Sequence, residues 1–462
     1  MTSTSIASSA PSAVEKSAIR KVAVRLVPFV ALMFFINYLD RTAIGFAAPN
    51  GMNDDLALTA AQYGFASGVF FIGYILLEVP SNMALHKFGA RRWLARIMVT
   101  WGIVAVLFTW VGSYTQLSWL RFLLGVAEAG FFPGAILFLS LWVPARYRSR
   151  ILGLFYLAQP LTSVIGAPLA GWLMTHNGVF FGLEGWRFMF LGVGFPAIVV
   201  GVIAWFYLAD SPKQAKWLTS AEQEWLTGAL AAENKAKDTG KDTGESSGHG
   251  LAGLKVAFSS GRVWTLSFIY FGFIYGLYTL AFFLPTIIAD FQEQFGVKFD
   301  LIDKGLITAI PYVPAAIVLY LATRHATKHG VKPGHIAIPA AVGAVSIPLA
   351  LFAGSPTLTI AVLAVTACSI FAALPNFWTV PTQFLAGAAA AAGIALINTM
   401  GNLAGFAAPY ITGALADLNG GDYKVAFFVV GAFMLLSSVL MVALSRQGRV
   451  ATDDQAPVPA GH

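Results

Sequence analysis

Charged residues are scarce in this chain of 462 residues, where Asp, Glu, Lys and Arg together make up 11% of the sequence. A soluble domain carries about 25% of such residues. Hydrophobic residues account for 57% of the chain, and the mean hydropathy is +0.71. This composition excludes an ordinary soluble protein. It predicts an integral membrane protein that has the lipid bilayer as a partner.

Other absences narrow the function further. Cys368 is the single cysteine, so no disulfide can form within the chain. No Gly-x-x-x-x-Gly-Lys-Ser/Thr loop occurs, which argues against ATP as the energy source. The histidines stay in loops and the apolar runs show no metal-ligand spacing, so we expect no cofactor, no metal and no enzyme. Segment 1–21 is polar and lacks the apolar core of a signal peptide.

Twelve apolar runs are long enough to cross a bilayer, which takes about 20 residues in a helix. Each is too long for a strand, and lipid admits only helices or closed barrels. The predicted fold class is therefore an all-α integral membrane protein with twelve transmembrane helices. We number the runs span 1 to span 12, and they cover 24–47, 62–85, 93–112, 117–142, 150–174, 186–208, 263–289, 303–323, 334–353, 358–384, 389–415 and 424–445.

Basic residues concentrate at one end of this bundle, which we call the arginine-rich end. It consists of the first tail, the loops joining spans 2 and 3, 4 and 5, and 8 and 9, and the tail after span 12. The positive-inside rule places this end, and with it both termini, in the cytoplasm. The net charge of +7 then reports orientation in a bacterial plasma (inner) membrane. We expect no nucleic-acid partner.

A polar central segment at 209–260 divides the spans into six and six. Pro168 and Pro409 occupy matching places in the two sets, 241 positions apart, as expected for parallel halves around a central site. The predicted organisation is a cytoplasmic tail at 1–23, one six-helix half at 24–208, the central segment, a second six-helix half at 261–445, and a cytoplasmic tail at 446–462.

The central segment itself predicts a cytoplasmic amphipathic helix followed by a flexible linker. Thr219 and Glu222 fit a capping box at the helix start. Trp217 and Trp225 are expected to rest on the membrane surface.

The stretch at 78–102 reads EVPSNMALHKFGARRWLARIMVTWG. It resembles the Gly- and Arg-rich loop of the major facilitator superfamily, and its form is similar to the anion:cation symporter family, in particular to bacterial permeases for tartrate, phthalate, 4-hydroxyphenylacetate, nicotinate and sugar acids. NYLDR (37–41), RFLLGVAEAGFFPG (121–134) and INTMGNLAGFAAPYITG (397–413) extend the resemblance. It implies the two-half major facilitator fold. His86 stands where the superfamily loop usually has an acid.

Four charged residues fall well inside spans 1 and 4, where a charge costs about 2.5–3.5 kcal/mol on insertion scales and is usually functional. Asp40 and Arg41 belong to span 1, and Arg121 and Glu128 to span 4. Seven residues apart, Arg121 and Glu128 point the same way, with Gly125 between them. Asp40, Arg41 and Arg121 share one depth, and Glu128 lies about 10 Å nearer the midplane at 1.5 Å per residue.

This neutral set predicts a proton and anion site. An arginine offers a planar fork to a carboxylate, and an acid that loses its arginine to an incoming anion binds a proton more readily. Glu128 and Asp40 are the predicted proton carriers. Arg121 and Arg41 are predicted anion contacts, and the Gly125 face is expected to be a pathway wall. The alternative is that Asp40–Arg121 or Arg41–Glu128 are fixed ion pairs that only hold helices together.

Several further residues are candidates for the pathway. Glu78 is predicted to close the arginine-rich end by pairing with Arg92 or Arg96, with Arg91 and Arg92 as gating residues; an inert helix-end charge is the alternative. Buried amides also serve helix association, and aromatics are common in spans, so packing competes with each substrate role. The candidate substrate contacts are Gln159, Tyr275, Tyr278, Asn376, Asn398 and Asn402.

These observations favour a secondary active transporter that imports a small organic carboxylate with protons by alternating access, working as a monomer. An antiporter or exporter of organic anions or drugs is the alternative, since SVIGAPLAG (163–171) keeps a trace of a glycine-rich span 5. A membrane-embedded enzyme or receptor is a remote third reading, because every outer loop is short. The sequence leaves open which carboxylate is carried.

Overall fold

A computed structural model describes residues 12–239, 258–381 and 387–453, and every regular element in these ranges is a helix. Eleven helical segments in the described ranges are long and apolar enough to span a membrane, and span 9 is a shorter apolar helix, Gly334–Ala350. The predicted all-α fold of twelve spans is thus confirmed. Nine spans are single helices: Ala13–Ala47, Ala60–Phe88, Ala90–Leu107, Gly185–Tyr207, Gly261–Phe295, Gly334–Ala350, Pro356–Phe377, Gly387–Leu418 and Lys424–Asp453.

Spans 4, 5 and 8 are each interrupted. Their parts are Tyr114–Glu128 with Phe131–Ser140, Ala145–Tyr156 with Ala158–Met174, and Leu301–Ala309 with Tyr312–His329. The break in span 4 falls immediately after Glu128, where Ala129 is extended and Gly130 adopts φ 84°. A left-handed backbone favours glycine because it has no Cβ. A Cβ at Gly130 would also lie 2.5 Å from Ser81 Oγ.

Three helix pairs make the most extensive contacts between the two halves. Span 2 packs against span 11, span 1 against span 7, and span 5 against span 8. The closest approaches lie at the end opposite the arginine-rich end, which we call the closed end. There a Cβ added at Gly64 would collide with the Pro409 carbonyl oxygen, and one at Gly413 with the Ala60 carbonyl oxygen. Glycine therefore lets the backbones of the two halves touch.

Hydrogen bonds fix the closed end as well. The Tyr63 hydroxyl donates to the Phe282 carbonyl at 2.8 Å. The Asp417 carboxylate accepts from the backbone N–H groups of Ala60 at 3.0 Å and Ala61 at 2.9 Å. Those two N–H groups belong to the first turn of span 2, where a helix has no internal acceptors for them. An acid of one half thus caps a helix of the other.

The central segment forms a helix, Ser220–Thr239, at the arginine-rich end. The predicted capping box is present, since Thr219 N–H donates to Glu222 and Glu222 N–H donates to the Thr219 hydroxyl. Glu222 also binds Ser17 and Lys21 of span 1, at 2.6 and 2.7 Å. The Trp217 ring stacks on Trp142 at 5.6 Å, so the start of the central segment packs against span 4, and its contact with the membrane surface stays a prediction.

Candidate functional site

A cavity of about 140 Å³ lies between the two halves, well above the roughly 10–15 Å³ that one water molecule needs. Five polar side chains predicted from the sequence line it together with Tyr278: Arg41, Glu78, Gln159, Asn398 and Asn402. Aromatic side chains form most of the remaining wall, namely Phe34, Tyr38, Tyr74, Phe132, Tyr156, Tyr270, Phe371 and Trp378. The cavity is therefore amphipathic, with one cation and one acid among rings and amides.

Arg41 is the cation of the cavity. Its guanidinium forms an ion pair with Glu128, whose side chain is fully buried, while 12% of the Arg41 side chain is exposed. A second hydrogen bond, at 3.0 Å, runs to the Tyr278 hydroxyl of span 7. The guanidinium also lies 4.9 Å from the centre of the Phe70 ring and 5.5 Å from that of Tyr74. Arg41 thus links the buried acid of one half to a tyrosine of the other.

Behind this pair lies a buried polar cluster that does not reach the cavity. Asp40 is 1% exposed and Asn37 is fully buried. Asn37 lies beside Glu128, and no well-aligned hydrogen bond joins the side chains of Asn37 and Asp40 or the Glu128 oxygen Oε2 to the described residues. The electrostatic neighbours of Asp40 are Glu128, Arg121 and the Trp101 indole. Buried polar atoms are normally hydrogen-bonded, so two acids and an amide gathered here are an unusual concentration of polar groups inside the bundle.

Arg121 lies elsewhere than the predicted anion contact requires. It is fully buried, and the cavity lining does not include it. Its guanidinium donates to the backbone carbonyls of Ala66, Ser67 and Arg41 at 3.1–3.4 Å. These carbonyls occupy the N–H donors of Arg121, which therefore ties spans 1, 2 and 4 together in this conformation. Of the two arginines, Arg41 alone lines the cavity.

The expectation that the Gly125 face is a pathway wall is wrong. A Cβ at Gly125 would collide with the Phe70 carbonyl oxygen and come within 3.0 Å of the Tyr74 backbone nitrogen. Span 4 therefore packs backbone to backbone on span 2 at this position. Gly125 lies at the contact between spans 2 and 4. Its lack of a side chain lets span 2 approach closely at Phe70 and Tyr74, the two rings that contact Arg41.

Glu78 does not pair with Arg92 or Arg96, contrary to prediction. Its carboxylate instead accepts hydrogen bonds from the amides of Asn398, at 2.7 Å, and Asn402, at 3.3 Å. Both asparagines belong to span 11, so the contact crosses between the halves within the cavity. Arg96 stacks on Trp93 at 3.9 Å, and Arg92 is exposed.

Three other predicted residues lie outside the cavity. Arg91 pairs at 3.4 Å with Asp210, at the start of the central segment, so this ion pair does not join the two halves. Asn376 donates to the Ala372 carbonyl of its own helix at 2.9 Å. The Tyr275 ring packs on Phe433 at 4.7 Å. Asn376 and Tyr275 are therefore not among the residues that line the cavity.

Sequence reasoning missed most of the aromatic wall. Tyr38, Tyr74, Tyr156, Tyr270 and Trp378 line the cavity, but rings are common throughout the spans. Helical spacing offered one signal: Tyr74 precedes Glu78 by four residues and therefore shares its face.

Comparison with known proteins agrees with the fold. The Major Facilitator Superfamily profile matches residues 30–409. A protein of Agrobacterium vitis described as "Putative tartrate transporter" is 42% identical over 95% of this chain and 94% of its own length. A "Quinolone resistance transporter" of Acinetobacter baumannii is 37% identical over 96% of this chain and 99% of its own.

Among solved structures, the xylose transporter XylE from E. coli in a partially occluded inward open conformation superposes with a TM-score of 0.70 at 16% identity, over 91% of this chain and 99% of that one. At this identity the likeness concerns the fold alone. The matched family and its transporter relatives make this protein a membrane transporter and not an enzyme, and the chain belongs to the Major Facilitator Superfamily.

Proposed function

We propose that the protein imports a small organic carboxylate together with protons across the plasma membrane. The observation that carries the proposal is the Arg41–Glu128 pair, in which the cation borders the cavity and its acid is buried behind it. A carboxylate entering the cavity meets Arg41 as its only cation among the lining residues. The sequence prediction of an anion and proton site is retained, with Arg41 in place of Arg121 as the anion contact.

Coupling follows from competition for one guanidinium. A substrate carboxylate binds Arg41 best as a bidentate pair, which draws the guanidinium away from Glu128. A carboxylate left buried without its cation is costly, so Glu128 then takes up a proton. Anion and proton therefore bind together, and Asp40 provides a second buried carboxyl close by. In the reverse direction, loss of the proton returns Glu128 to Arg41 and expels the anion.

The asymmetry of the bundle supports alternating access. Backbone contacts and the Asp417 cap hold the closed end together. With the arginine-rich end in the cytoplasm, as the positive-inside rule predicts, this conformation faces inward. Both termini are then cytoplasmic. The contacts of Gly64 and Gly413 would separate in the outward-facing state.

The substrate class follows from the lining. Arg41 suits one carboxylate, and Gln159, Asn398 and Asn402 suit hydroxyl or further carboxyl oxygens. Hydroxylated acids fit this set best, and the tartrate relative at 42% identity points the same way. The tyrosine-rich wall also accepts an aromatic ring.

The test is uptake into proteoliposomes under an inward proton gradient, with tartrate and sugar acids as substrates. Glu128→Gln mimics the protonated acid, and we expect it to bind substrate but to lose gradient-driven accumulation. Glu184→Gln is the matched control, because Glu184 pairs with Arg187 at the surface and is 48% exposed. Proton coupling would be refuted if Glu128→Gln accumulated substrate to the level of the control. It would also be refuted if uptake by the unaltered protein did not depend on the pH gradient.

Export of an aromatic compound is the second candidate. It is favoured by the quinolone resistance relative at 37% identity and by the aromatic wall of the cavity. An exporter should bind neutral or cationic aromatic drugs with an affinity that Arg41→Ala leaves intact. An importer of carboxylates should lose at least tenfold in affinity in the same variant.

A further inference from the structure

Glu78 is the acid that lines the central cavity, and both of its hydrogen-bond donors belong to the other half. It lies in span 2, one turn beyond Tyr74. Its two oxygens accept separate hydrogen bonds, Oε1 from Asn398 and Oε2 from Asn402. The two asparagines are four residues apart, so their amides project side by side from one face of span 11. Together they form a two-donor cradle that holds a carboxylate.

The same cradle suits a substrate. Glu78, Asn398, Asn402 and Arg41 line one cavity, so a molecule anchored on Arg41 by one end can present its other end to the asparagines. Glu78 then occupies the place that this second end would take. We propose, on the basis of the proposed carboxylate transport, that a substrate with a second carboxylate at its other end must bring one additional proton because of Glu78. A substrate with a hydroxyl at that end needs no additional proton.

The difference arises from donors and acceptors. A substrate hydroxyl can donate to Glu78 and accept from an asparagine amide, so all partners are satisfied without any change of charge. A substrate carboxylate only accepts, as Glu78 does, and two ionised carboxyls at hydrogen-bonding distance repel each other strongly. One proton from solution placed between them turns repulsion into a hydrogen bond, as in paired acids that share a proton.

No other group that faces Glu78 in the described residues can balance the added negative charge of a substrate carboxylate. From span 11 come the neutral amides of Asn398 and Asn402. From spans 2 and 7 the titratable neighbours are the hydroxyls of Tyr74 and Tyr270. Among the described residues, the positive charge that acts on Glu78 is that of Arg41. Arg41 is paired with Glu128 and, once substrate is bound, with the first carboxylate of the substrate. The extra proton is therefore needed at Glu78.

Matched ligands isolate this effect in the purified full-length protein. Tartrate and threonate share a four-carbon skeleton, and glucarate and gluconate a six-carbon one, and each pair differs only in a terminal carboxylate against a terminal hydroxyl. Free aliphatic carboxyls have a pKa of about 4, so both ends of each diacid are ionised between pH 6 and 8. Calorimetric affinity across this range gives the protons taken up with each ligand.

We expect the affinity for the diacid to fall more steeply with pH than that for its hydroxy partner, approaching tenfold more per pH unit where Glu78 is ionised in the free protein, and hence by at least about tenfold more from pH 6 to 8. In Glu78→Gln, whose amide keeps the shape and donates to the diacid, this difference should vanish. Glu184→Gln should retain it. Equal pH dependence of the paired ligands in the unaltered protein, or an unchanged difference in Glu78→Gln, would overturn the inference while leaving the proposed function intact. Failure of all four ligands to bind would overturn the proposed hydroxy-acid function and this inference with it.

Discussion

The Asp417 cap predicts how strongly one acid holds the closed end shut. Asp417 ends span 11 in the second half, and it accepts from the backbone N–H groups of Ala60 and Ala61 in the first. These bonds exist only while the closed end is closed. Replacing Asp417 by Ala should therefore destabilise this conformation relative to the outward-facing one, with little effect on the folding of either half.

The magnitude follows from the chemistry of helix ends. Removing a side chain that caps a helix costs about 0.5–2 kcal/mol. A carboxylate at an exposed helix N-terminus adds about 0.3–1 kcal/mol through the helix dipole. Because Asp417 is exposed, we take about 1–2 kcal/mol for the whole effect. That corresponds to a shift of roughly 5- to 30-fold in the ratio of the two conformations.

Distance measurement between spin labels tests this shift. The single cysteine, Cys368, can be changed to Ser, and labels placed at Asp54 and Asn419, which are exposed at the closed end on opposite halves. The ratio of long to short distances should rise 5- to 30-fold in Asp417→Ala. It should rise less in Asp417→Asn, which keeps one acceptor oxygen.

Asp422→Ala provides the control for this experiment. Asp422 caps Lys424 at 2.8 Å within the second half and so has the same chemistry in the same loop without crossing between halves. An unchanged distance distribution in Asp417→Ala would refute the reasoning. So would an equal shift in Asp422→Ala, because the effect would then belong to the loop and not to the cap.

Two further predictions concern packing and the arginine-rich end. Gly125→Ala should lower the melting temperature by an amount equivalent to about 1–3 kcal/mol, the usual cost of overpacking. Gly228→Ala, where a Cβ meets nothing within 4 Å, should leave the melting temperature equal or higher, and equal losses in both would contradict the close contact between spans 2 and 4. Hydrogen bonding from Lys21 lowers the pKa of Glu222 to about 2. Since an unfolded glutamate titrates near about pH 4.3, this contact should contribute fully above that pH and weaken as pH falls towards 2. Because the intrinsic rate of hydrogen exchange itself falls as pH drops over this range, the quantity to follow is the protection factor of Ser220–Thr239. It should decrease as pH falls towards 2, and in Glu222→Gln it should already be low at pH 6.

The fold was accessible from sequence because length and hydropathy determine it. A run of about 20 apolar residues has few alternatives to a membrane helix, and the twelve spans were found on that basis. The capping box at Thr219 and Glu222 was found because it is a local pattern with a local cause. The partners of Glu78 could not be found in this way. Asn398 and Asn402 are over 300 positions away, and only the packing of span 11 on span 2 brings them together.

The assignment of Arg121 and Arg41 shows where depth stops being informative. Both arginines share a level in the bilayer, so rise per residue could not separate them. What separates them is rotation about the helix axis, because consecutive residues point about 100° apart. In span 1 this turns Arg41 towards the second half and the cavity, and Asp40 inward towards Arg121. Two neighbouring residues of one helix, Arg41 and Asp40, thus face the cavity and the buried cluster respectively. Glu128 pairs with Arg41 and lies near Asp40, which is the arrangement that the proposed coupling requires.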